Sequence, residues 1–200
     1  MAGSAAVSEK RIGRVCPWWL GYTFDNPIRR MIHPPEKILG PYVREGMTVL
    51  DVGAGFGHFS IGMARLVGET GEVIAADVQE KMLEKTLSRA RKAGVERRIK
   101  PLPCRTETLG LHVDVDFALA CNVLHEMPDL PGLFAELQSR LKPNGLFFVM
   151  EPAGHVGAKA FEKELALALA AGFQEQARPR VFQERCVLLT SAHPETLFGH

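Results

Sequence analysis

The sequence predicts an α/β fold with a mostly parallel sheet and helices on both faces. From residue 35 onward, short apolar runs of strand length alternate with longer stretches in which apolar residues recur every three or four positions. Parallel strands joined by crossover helices produce this alternation, and such sheets are covered on both faces. Residues 173–190 read as a closing hairpin, which adds one antiparallel strand.

Size and composition indicate one main domain. The 200 residues are 46% hydrophobic and 24% charged, which is ordinary for a globular protein. We divide the chain into an N-terminal tail with an aromatic lid segment, residues 1–34, and a main domain, residues 35–200. The net charge of +1 favours neither a nucleic acid nor a membrane partner. No signal peptide, membrane-length apolar run or C-x-x-C pair is visible, so we expect a cytoplasmic protein without a metal site.

The first half of the main domain begins with a predicted helix at Pro35 and Glu36, which Gly46 is expected to end. Three strands and two more helices follow, and each helix lies between two strands. Gly94 is expected to cap the end of the second of these helices. The predicted strands are Thr48–Val52, Glu72–Ala76 and Ile99–Cys104, and the helices are His58–Val67 and Glu80–Ala93.

The second half repeats the pattern with stronger strands. Asp129 is a typical N-cap, and Pro131 suits the first turn of the helix that it opens. Pro143, Asn144 and Gly145 are expected to stop that helix. The predicted strands are Val115–Cys121, Leu146–Met150, Phe173–Phe182 and Arg185–Thr190, and a last helix covers Ala158–Ala171.

A glycine turn follows the first strand. Asp51 is succeeded by glycines at alternate positions, Gly53, Gly55 and Gly57, and a helical pattern then starts. Such a turn lets a ligand approach bare backbone at the positive end of a helix dipole. A dinucleotide-binding fingerprint would require glycine at position 58, and His58 stands there, which disfavours NAD.

Asp77 ends the second predicted strand. It lies about 20 residues beyond the turn, where open α/β sheets place a carboxylate against ribose hydroxyls. Turn and acid together predict a site for a nucleoside-containing ligand. The alternative is a glycine turn that only helps a helix to pack on the sheet.

The succession of strand, D-x-G-x-G-x-G, helix, strand and Asp resembles motif I and its acidic partner in class I S-adenosylmethionine-dependent methyltransferases. Asn122-x-x-His125 and Lys142-Pro-x-Gly145 resemble the small-molecule branch of ubiquinone and menaquinone methyltransferases, or methyltransferase type 11. The resemblance implies a Rossmann-like fold with a seven-stranded sheet and an antiparallel last strand. It also implies S-adenosyl-L-methionine as the cofactor and in-line transfer of its methyl group to a small molecule.

No Asp-Pro-Pro-Tyr or Asn-Pro-Pro-Tyr motif follows the fourth strand. Its absence disfavours an enzyme that methylates amino groups of nucleic acids or of glutamine.

The same resemblance implies roles for residues along the cofactor. Gly53, Ala54 and Gly55 would lie against its methionine part, and Asp51 would organise the turn. Asn122 would face the methionine amino group or the transferring methyl.

For the adenosine part, the resemblance assigns Asp77 to the ribose hydroxyls and Val78 to the adenine face. The family often has an acid at the end of the third strand, which contacts the adenine amino group. Here the matching position is Arg105, followed by Thr106, whose backbone would read adenine instead.

Two candidates for a general base lie in the loop after the fourth strand, where open α/β sheets bind ligands. His125 has a suitable unperturbed pKa, and Glu126 is its neighbour. Glu151 and His155, after the fifth strand, are weaker candidates. A loop histidine that merely caps the next helix is the alternative.

An aromatic segment near the N-terminus contains Trp18, Trp19 and Tyr22. We predict that it forms a substrate-contacting lid, and the alternative is a plug at one edge of the core. Two alternative functions also stand. One is a cofactor-binding protein without turnover, and the other is an enzyme similar to arsenite methyltransferases that uses Cys16, Cys104 and Cys121.

Overall fold

The computed structural model describes residues 32–191, and these form seven strands and five α-helices. The strands are β1 Thr48–Val52, β2 Glu72–Asp77, β3 Ile99–Pro103, β4 Val115–Cys121, β5 Leu141–Pro152, β6 Phe173–Ala177 and β7 Glu184–Ser191. The helices are α1 Pro35–Leu39, α2 His58–Leu66, α3 Glu80–Lys92, α4 Leu130–Arg140 and α5 Ala158–Ala170. Short 3-10 turns cover Glu96–Arg98 and Leu124–Glu126.

All seven strands form one sheet in the order β3-β2-β1-β4-β5-β7-β6. The pairs from β3 to β5 are parallel, whereas β7 is antiparallel to both of its neighbours. The predicted Rossmann-like sheet with an antiparallel last strand is therefore confirmed. The sequence order reverses direction between β1 and β4, and ligands bind at such a switch point in open α/β sheets.

Two hydrophobic cores lie on the two faces of the sheet. Alternate residues of β1 point to opposite faces, so Leu50 belongs to one core and Val49 to the other. The first core is covered by α4 and α5, through residues such as Phe134 and Phe161. The second is covered by α1, α2 and α3, with Leu83 among its members. Helices thus cover both faces, as predicted.

Three predicted boundaries are wrong by more than two residues. The first helix ends at Leu39 and does not reach Gly46, because Gly40 and Pro41 follow and proline lacks the N–H that would continue the helix. Strand β6 stops at Ala177, so an irregular connection, residues 178–183, replaces the predicted tight hairpin. Strand β5 already begins at Leu141, because Leu141 pairs with Val115 of β4; the predicted turn residues 143–145 lie in a register shift before the pairing resumes at Leu146.

The predicted N-terminal segment, residues 1–34, lies almost entirely outside the described residues, so the division of the chain at residue 34 stays a prediction. Within residues 32–191, none of the helices combines the length and the apolar character that a membrane span requires.

At the end of the sheet opposite the glycine turn, one carboxylate joins the starts of the central strands β1 and β4. Asp116 accepts a hydrogen bond from the Thr48 backbone N–H at 2.8 Å, and both of its oxygens lie 2.9 Å from Lys142 Nζ. We expect Asp116→Ala to lower the free energy of unfolding by about 1–3 kcal/mol, because a half-buried N–H loses its acceptor. Urea unfolding measures this.

The matched control is Asp114→Ala, which removes a neighbouring carboxylate whose ion pair with Arg140 is solvent-exposed. An exposed pair contributes little, so the loss should stay below about 0.5 kcal/mol. Equal losses in the two variants would contradict the assigned role of Asp116.

Candidate active site

One cavity of about 580 Å³ opens at the carboxyl ends of β1, β2, β4 and β5. It is lined by the glycine turn, by the residues after β2, and by the loops after β4 and β5. Of the predicted site residues, those that line it are Asp51, Gly53, Ala54, Gly55, Asp77, Val78, Thr106, Asn122, His125 and Glu126. The structure thus brings together residues that are spread over more than 70 positions of the chain.

The glycine turn is built from backbone that side chains would not tolerate. The N–H groups of Gly53 and Ala54 both donate to the Ala76 carbonyl at 2.9 Å, which ties the turn to the end of β2. Gly53 has a φ of 69°, and a Cβ there would lie 2.5 Å from Val123 Cγ2. Gly55 has a φ of 54°, yet the space beside it is open, because a Cβ would meet only the Gly53 oxygen at 4.0 Å. Open space beside Gly55 leaves room for a ligand against the main chain.

We expect Gly55→Val to weaken the binding of S-adenosylmethionine by at least about tenfold, because its side chain occupies that open space next to the turn. Isothermal calorimetry measures the affinity. Gly110→Val is the matched control, since Gly110 has a φ of 68° with open space and does not line the cavity. Both variants carry the same kind of backbone strain, so equal affinities would contradict the site.

Asp77 is buried at the end of β2 and faces two backbone donors. Its Oδ2 accepts from the Gly55 N–H and its Oδ1 from the Gln79 N–H, each at 2.9 Å. Burial raises the pKa of this carboxyl group, and the two backbone hydrogen bonds oppose that shift. Each carboxylate oxygen has more than one acceptor position, so both can also accept from a ligand. Asp51 is buried too and accepts a hydrogen bond from the Ser60 hydroxyl.

Asn122 is held in an unusual backbone conformation, with a φ of 57°. Its N–H donates to the Met150 carbonyl at 2.8 Å. Its side-chain Oδ1 is buried and lacks a hydrogen-bond partner among the described residues. A buried acceptor is costly unless a donor meets it, so the residue is suited to a ligand that carries an N–H group.

Past β3, the chain presents alternate residues to the cavity. Cys104 and Thr106 line it, whereas Arg105 between them is exposed and does not. The Arg105 N–H instead bonds to the Thr108 carbonyl at 3.0 Å. Of the two residues predicted at the adenine position, only Thr106 therefore reaches the cavity.

His125 and Glu151 form a hydrogen-bonded pair at the other end of the cavity. Glu151 is completely buried, and its Oε1 accepts from the N–H groups of Val123 at 3.1 Å and Leu124 at 2.9 Å. Its Oε2 accepts from His125 Nδ1. This hydrogen bond raises the pKa of His125. His125 also lies near two further groups: its Nε2 is 3.9 Å from a Glu126 oxygen, and the His155 ring is 5.0 Å away between centroids.

The structure makes Glu151 the hydrogen-bond partner of His125, the predicted base. The sequence predicts Glu151 only as a weaker candidate for the base itself. The two residues are 26 positions apart, so no local spacing reveals the contact. Sequence reasoning also missed apolar lining residues, because nothing in a helix or loop pattern marks which apolar residues face a cavity. These are Phe56, Met82, Leu109, Met127, Pro128 and Pro152.

Two of the three cysteines weighed for arsenic chemistry, Cys104 and Cys121, line the cavity, and Cys16 lies outside the described residues. Burial raises the pKa of Cys104 to about 11, so its thiol is protonated at neutral pH and is a poor ligand or nucleophile. In the part of the chain that the structure describes, no three His, Cys, Asp or Glu side chains are arranged to hold a metal ion.

The predicted lid residues Trp18, Trp19 and Tyr22 precede the described residues, so the lid stays a prediction.

Comparison with known proteins gives consistent matches. A family model described as a methyltransferase domain matches residues 43–187. The chain is 34% identical over 113 residues to the ubiquinone/menaquinone biosynthesis C-methyltransferase UbiE of Haemophilus ducreyi, which covers 54% of this chain and 42% of that protein. The UbiE of Escherichia coli O1:K1 is 32% identical over 110 residues, with 54% and 44% covered. The chain therefore spans less than half the length of these curated relatives.

Among solved structures, the crystal structure of an S-adenosylmethionine-dependent methyltransferase from Aquifex aeolicus superimposes with a TM-score of 0.77 at 27% identity. The match covers 88% of this chain and 97% of that one. The family model covers most of the chain, and the glycine turn and Asp77 lie in the matched region. The protein thus belongs to the class I S-adenosylmethionine-dependent methyltransferases.

Proposed function

We propose that this methyltransferase methylates a small aromatic hydroxy compound, and that His125 is the general base that removes the hydroxyl proton. The observation that carries the proposal is the His125–Glu151 pair, which borders the cavity beyond the end of β4. The names of the curated relatives support a small-molecule acceptor, since UbiE is described as a C-methyltransferase of ubiquinone and menaquinone biosynthesis.

The residues present fit S-adenosylmethionine at the other end of the cavity. We assign the ribose hydroxyls to Asp77, whose oxygens keep free acceptor positions, and the methionine part to Gly53, Ala54 and Gly55. We assign the methionine ammonium to Asn122 Oδ1, which is buried and lacks a partner in the described structure. Val78 and Thr106 remain our candidates for the adenine.

The acceptor would then occupy the end of the cavity near β4 and β5. Apolar side chains line this end, among them Met127, Pro128 and Pro152, and the imidazoles of His125 and His155 pack edge to face beside them. Apolar walls with a few polar groups suit a planar, mostly apolar molecule that has one ionisable hydroxyl.

The hydrogen bond to Glu151 favours one tautomer of His125. Since a carboxylate only accepts, Nδ1 carries the proton and Nε2 is the basic nitrogen. Bound S-adenosylmethionine supplies an activated methyl group on its sulfonium. The protein has to align the acceptor, exclude water and accept the hydroxyl proton at Nε2, while Glu151 stabilises the resulting imidazolium.

A screen of matched acceptors tests this function. Phenols and quinols are incubated with the protein and S-adenosylmethionine, in parallel with the same compounds already methylated at their hydroxyl groups. We expect the demethylated cofactor and a methylated product only with the free hydroxyl compounds. Equal turnover with the blocked compounds would contradict a base-assisted mechanism, and turnover only with nucleic acid would contradict the acceptor class.

Two further properties of this function are proposals of the same kind. The near-neutral charge supports a small-molecule acceptor over a nucleic acid, which requires a basic surface. Free thiols at Cys104, Cys121 and Cys186 support a reducing compartment such as the cytoplasm.

A further inference from the structure

Helix α3 holds two carbonyl groups of the glycine turn. Thr86 Oγ1 donates to the Gly55 carbonyl at 2.8 Å, and Arg89 Nη1 donates to the Phe56 carbonyl at 2.8 Å. Residues three apart on a helix are neighbours on its surface, so one face of α3 supplies both donors. Neither side chain lines the active-site cavity. The two bonds therefore draw consecutive carbonyl groups of the turn towards α3.

Thr86 also packs directly against the last glycine of the turn. The residue is buried, and a Cβ on Gly57 would lie 2.6 Å from Thr86 Cγ2. Gly57 does not line the cavity, whereas Gly55 lines it and has open space beside it. Gly57 thus makes room for α3, and Gly55 leaves room for a ligand. The close contact with α3 leaves the turn little freedom to change its shape.

The direction of these carbonyl groups matters for an anionic ligand. The methionine part of S-adenosylmethionine carries a carboxylate, and we assign that part to Gly53, Ala54 and Gly55. A carbonyl oxygen bears partial negative charge, and the N–H group of the same trans peptide unit points the opposite way. The bond to Thr86 therefore keeps the negative end of one peptide group at α3. The Gly55 N–H donates to Asp77 at 2.9 Å, so both polar groups of this glycine are fixed.

We propose that Thr86 and Arg89 are positioning residues for the cofactor, which hold the turn in the conformation that accepts the methionine part. The proposal rests on the assignment of the turn to that part. Each side chain acts through a backbone carbonyl and touches no part of the cofactor itself. Thr86 has the larger role, because it is buried, whereas Arg89 is partly exposed and water can replace its bond.

Calorimetry of Thr86→Val with two ligands tests the proposal. Valine keeps the shape of threonine, but its methyl group cannot approach a carbonyl oxygen to 2.8 Å, so the Gly55 carbonyl has to move. We expect the affinity for S-adenosylhomocysteine, the demethylated cofactor, to fall about three- to tenfold. The affinity for 5′-methylthioadenosine should change by less than about twofold, because this ligand lacks the carboxylate and the ammonium of the methionine part.

Two further variants at Thr86 separate the hydroxyl group from packing. Thr86→Ser keeps the hydroxyl and loses a buried methyl group, so it should lose stability yet bind both ligands within about twofold of the wild type. Thr86→Ala removes the hydroxyl without pressing a methyl group against the carbonyl. It should discriminate between the two ligands as Thr86→Val does, and it replaces that variant if valine prevents folding.

Thr190→Val is the matched control for the hydroxyl group. Thr190 Oγ1 donates to the Gly145 carbonyl at 3.2 Å, outside the cavity lining. The variant therefore removes the same kind of bond, from a threonine hydroxyl to a glycine carbonyl, at a different place. Its urea midpoint should fall, whereas its affinity for both ligands should equal that of the wild type.

Arg89→Met examines the second donor, since methionine keeps an apolar stem and lacks the guanidinium. We expect the affinity for S-adenosylhomocysteine to fall about two- to threefold. Arg91→Met is the control on the same helix, because it removes an equal charge from an exposed ion pair with Glu96. Its affinity should not change. Equal affinities in the two variants would remove Arg89 from the proposal.

Two results would overturn the role of Thr86. One is wild-type affinity for S-adenosylhomocysteine in the folded valine or alanine variant. The other is an equal loss for both ligands, which would indicate general damage to the pocket. Either failure leaves the cofactor site standing if Asp77→Ala weakens both ligands, because both contain the ribose. Wild-type binding of both ligands in Asp77→Ala would instead refute the cofactor assignment itself.

Discussion

Asp77→Ala is expected to weaken the binding of S-adenosylmethionine by about 2–3 kcal/mol, or roughly 30- to 150-fold. The variant removes a buried carboxylate that we assign to the ribose hydroxyls and that also holds the Gly55 and Gln79 N–H groups. Calorimetry with the cofactor or its demethylated product measures the loss. Bound ligand also raises the melting temperature of the wild type, and this increase should shrink in the variant.

Glu80→Ala is the matched control for this prediction. It removes an exposed carboxylate at the start of α3, three positions after Asp77 and outside the cavity lining. Its cofactor affinity should stay within about twofold of the wild type. If Asp77→Ala binds as tightly as Glu80→Ala, the cofactor does not occupy the cavity in the way we assign.

His125→Ala is expected to lower the turnover of the acceptor by about 10²- to 10⁴-fold, the usual contribution of a general base. Cofactor affinity should change little, because His125 lies at the acceptor end. The exposed His112 provides the control, and His112→Ala should keep full turnover. Wild-type turnover in His125→Ala would refute the assignment of the base.

The pH profile of turnover follows from the same pair. A general base works only when it is neutral, and Glu151 raises the pKa of His125. Wild-type turnover should therefore rise with pH through a midpoint above the ordinary histidine value of about 6.5. In Glu151→Gln the midpoint should move to lower pH, because the hydrogen bond that favours the imidazolium is weakened.

Much of this fold was predictable because its signals are local. The apolar run before Asp51, the alternate glycines and the acid at position 77 all lie within one strand–helix–strand unit, whose geometry hardly varies. The error at α1 was also local in origin: the apolar spacing beyond Leu39 continues, but Gly40 and Pro41 interrupt the helix. A proline outweighs apolar periodicity there, because it lacks the N–H that the next helical turn needs.

The chemistry of the site was less predictable because it depends on contacts between distant parts of the chain. His125 was recognised as a candidate, yet its value as a base comes from Glu151, which the parallel pairing of β4 with β5 brings beneath it.

The continuity of the cavity from Asp77 to His125 has a consequence for inhibitor design. A nucleoside and a phenol joined by a short linker would reach both ends with one molecule, so the loss of translational freedom would be incurred once for two sets of contacts. The nucleoside half would suit many enzymes of this class. Selectivity would have to come from the phenol half, where the walls are formed by Met127, Pro128 and Pro152.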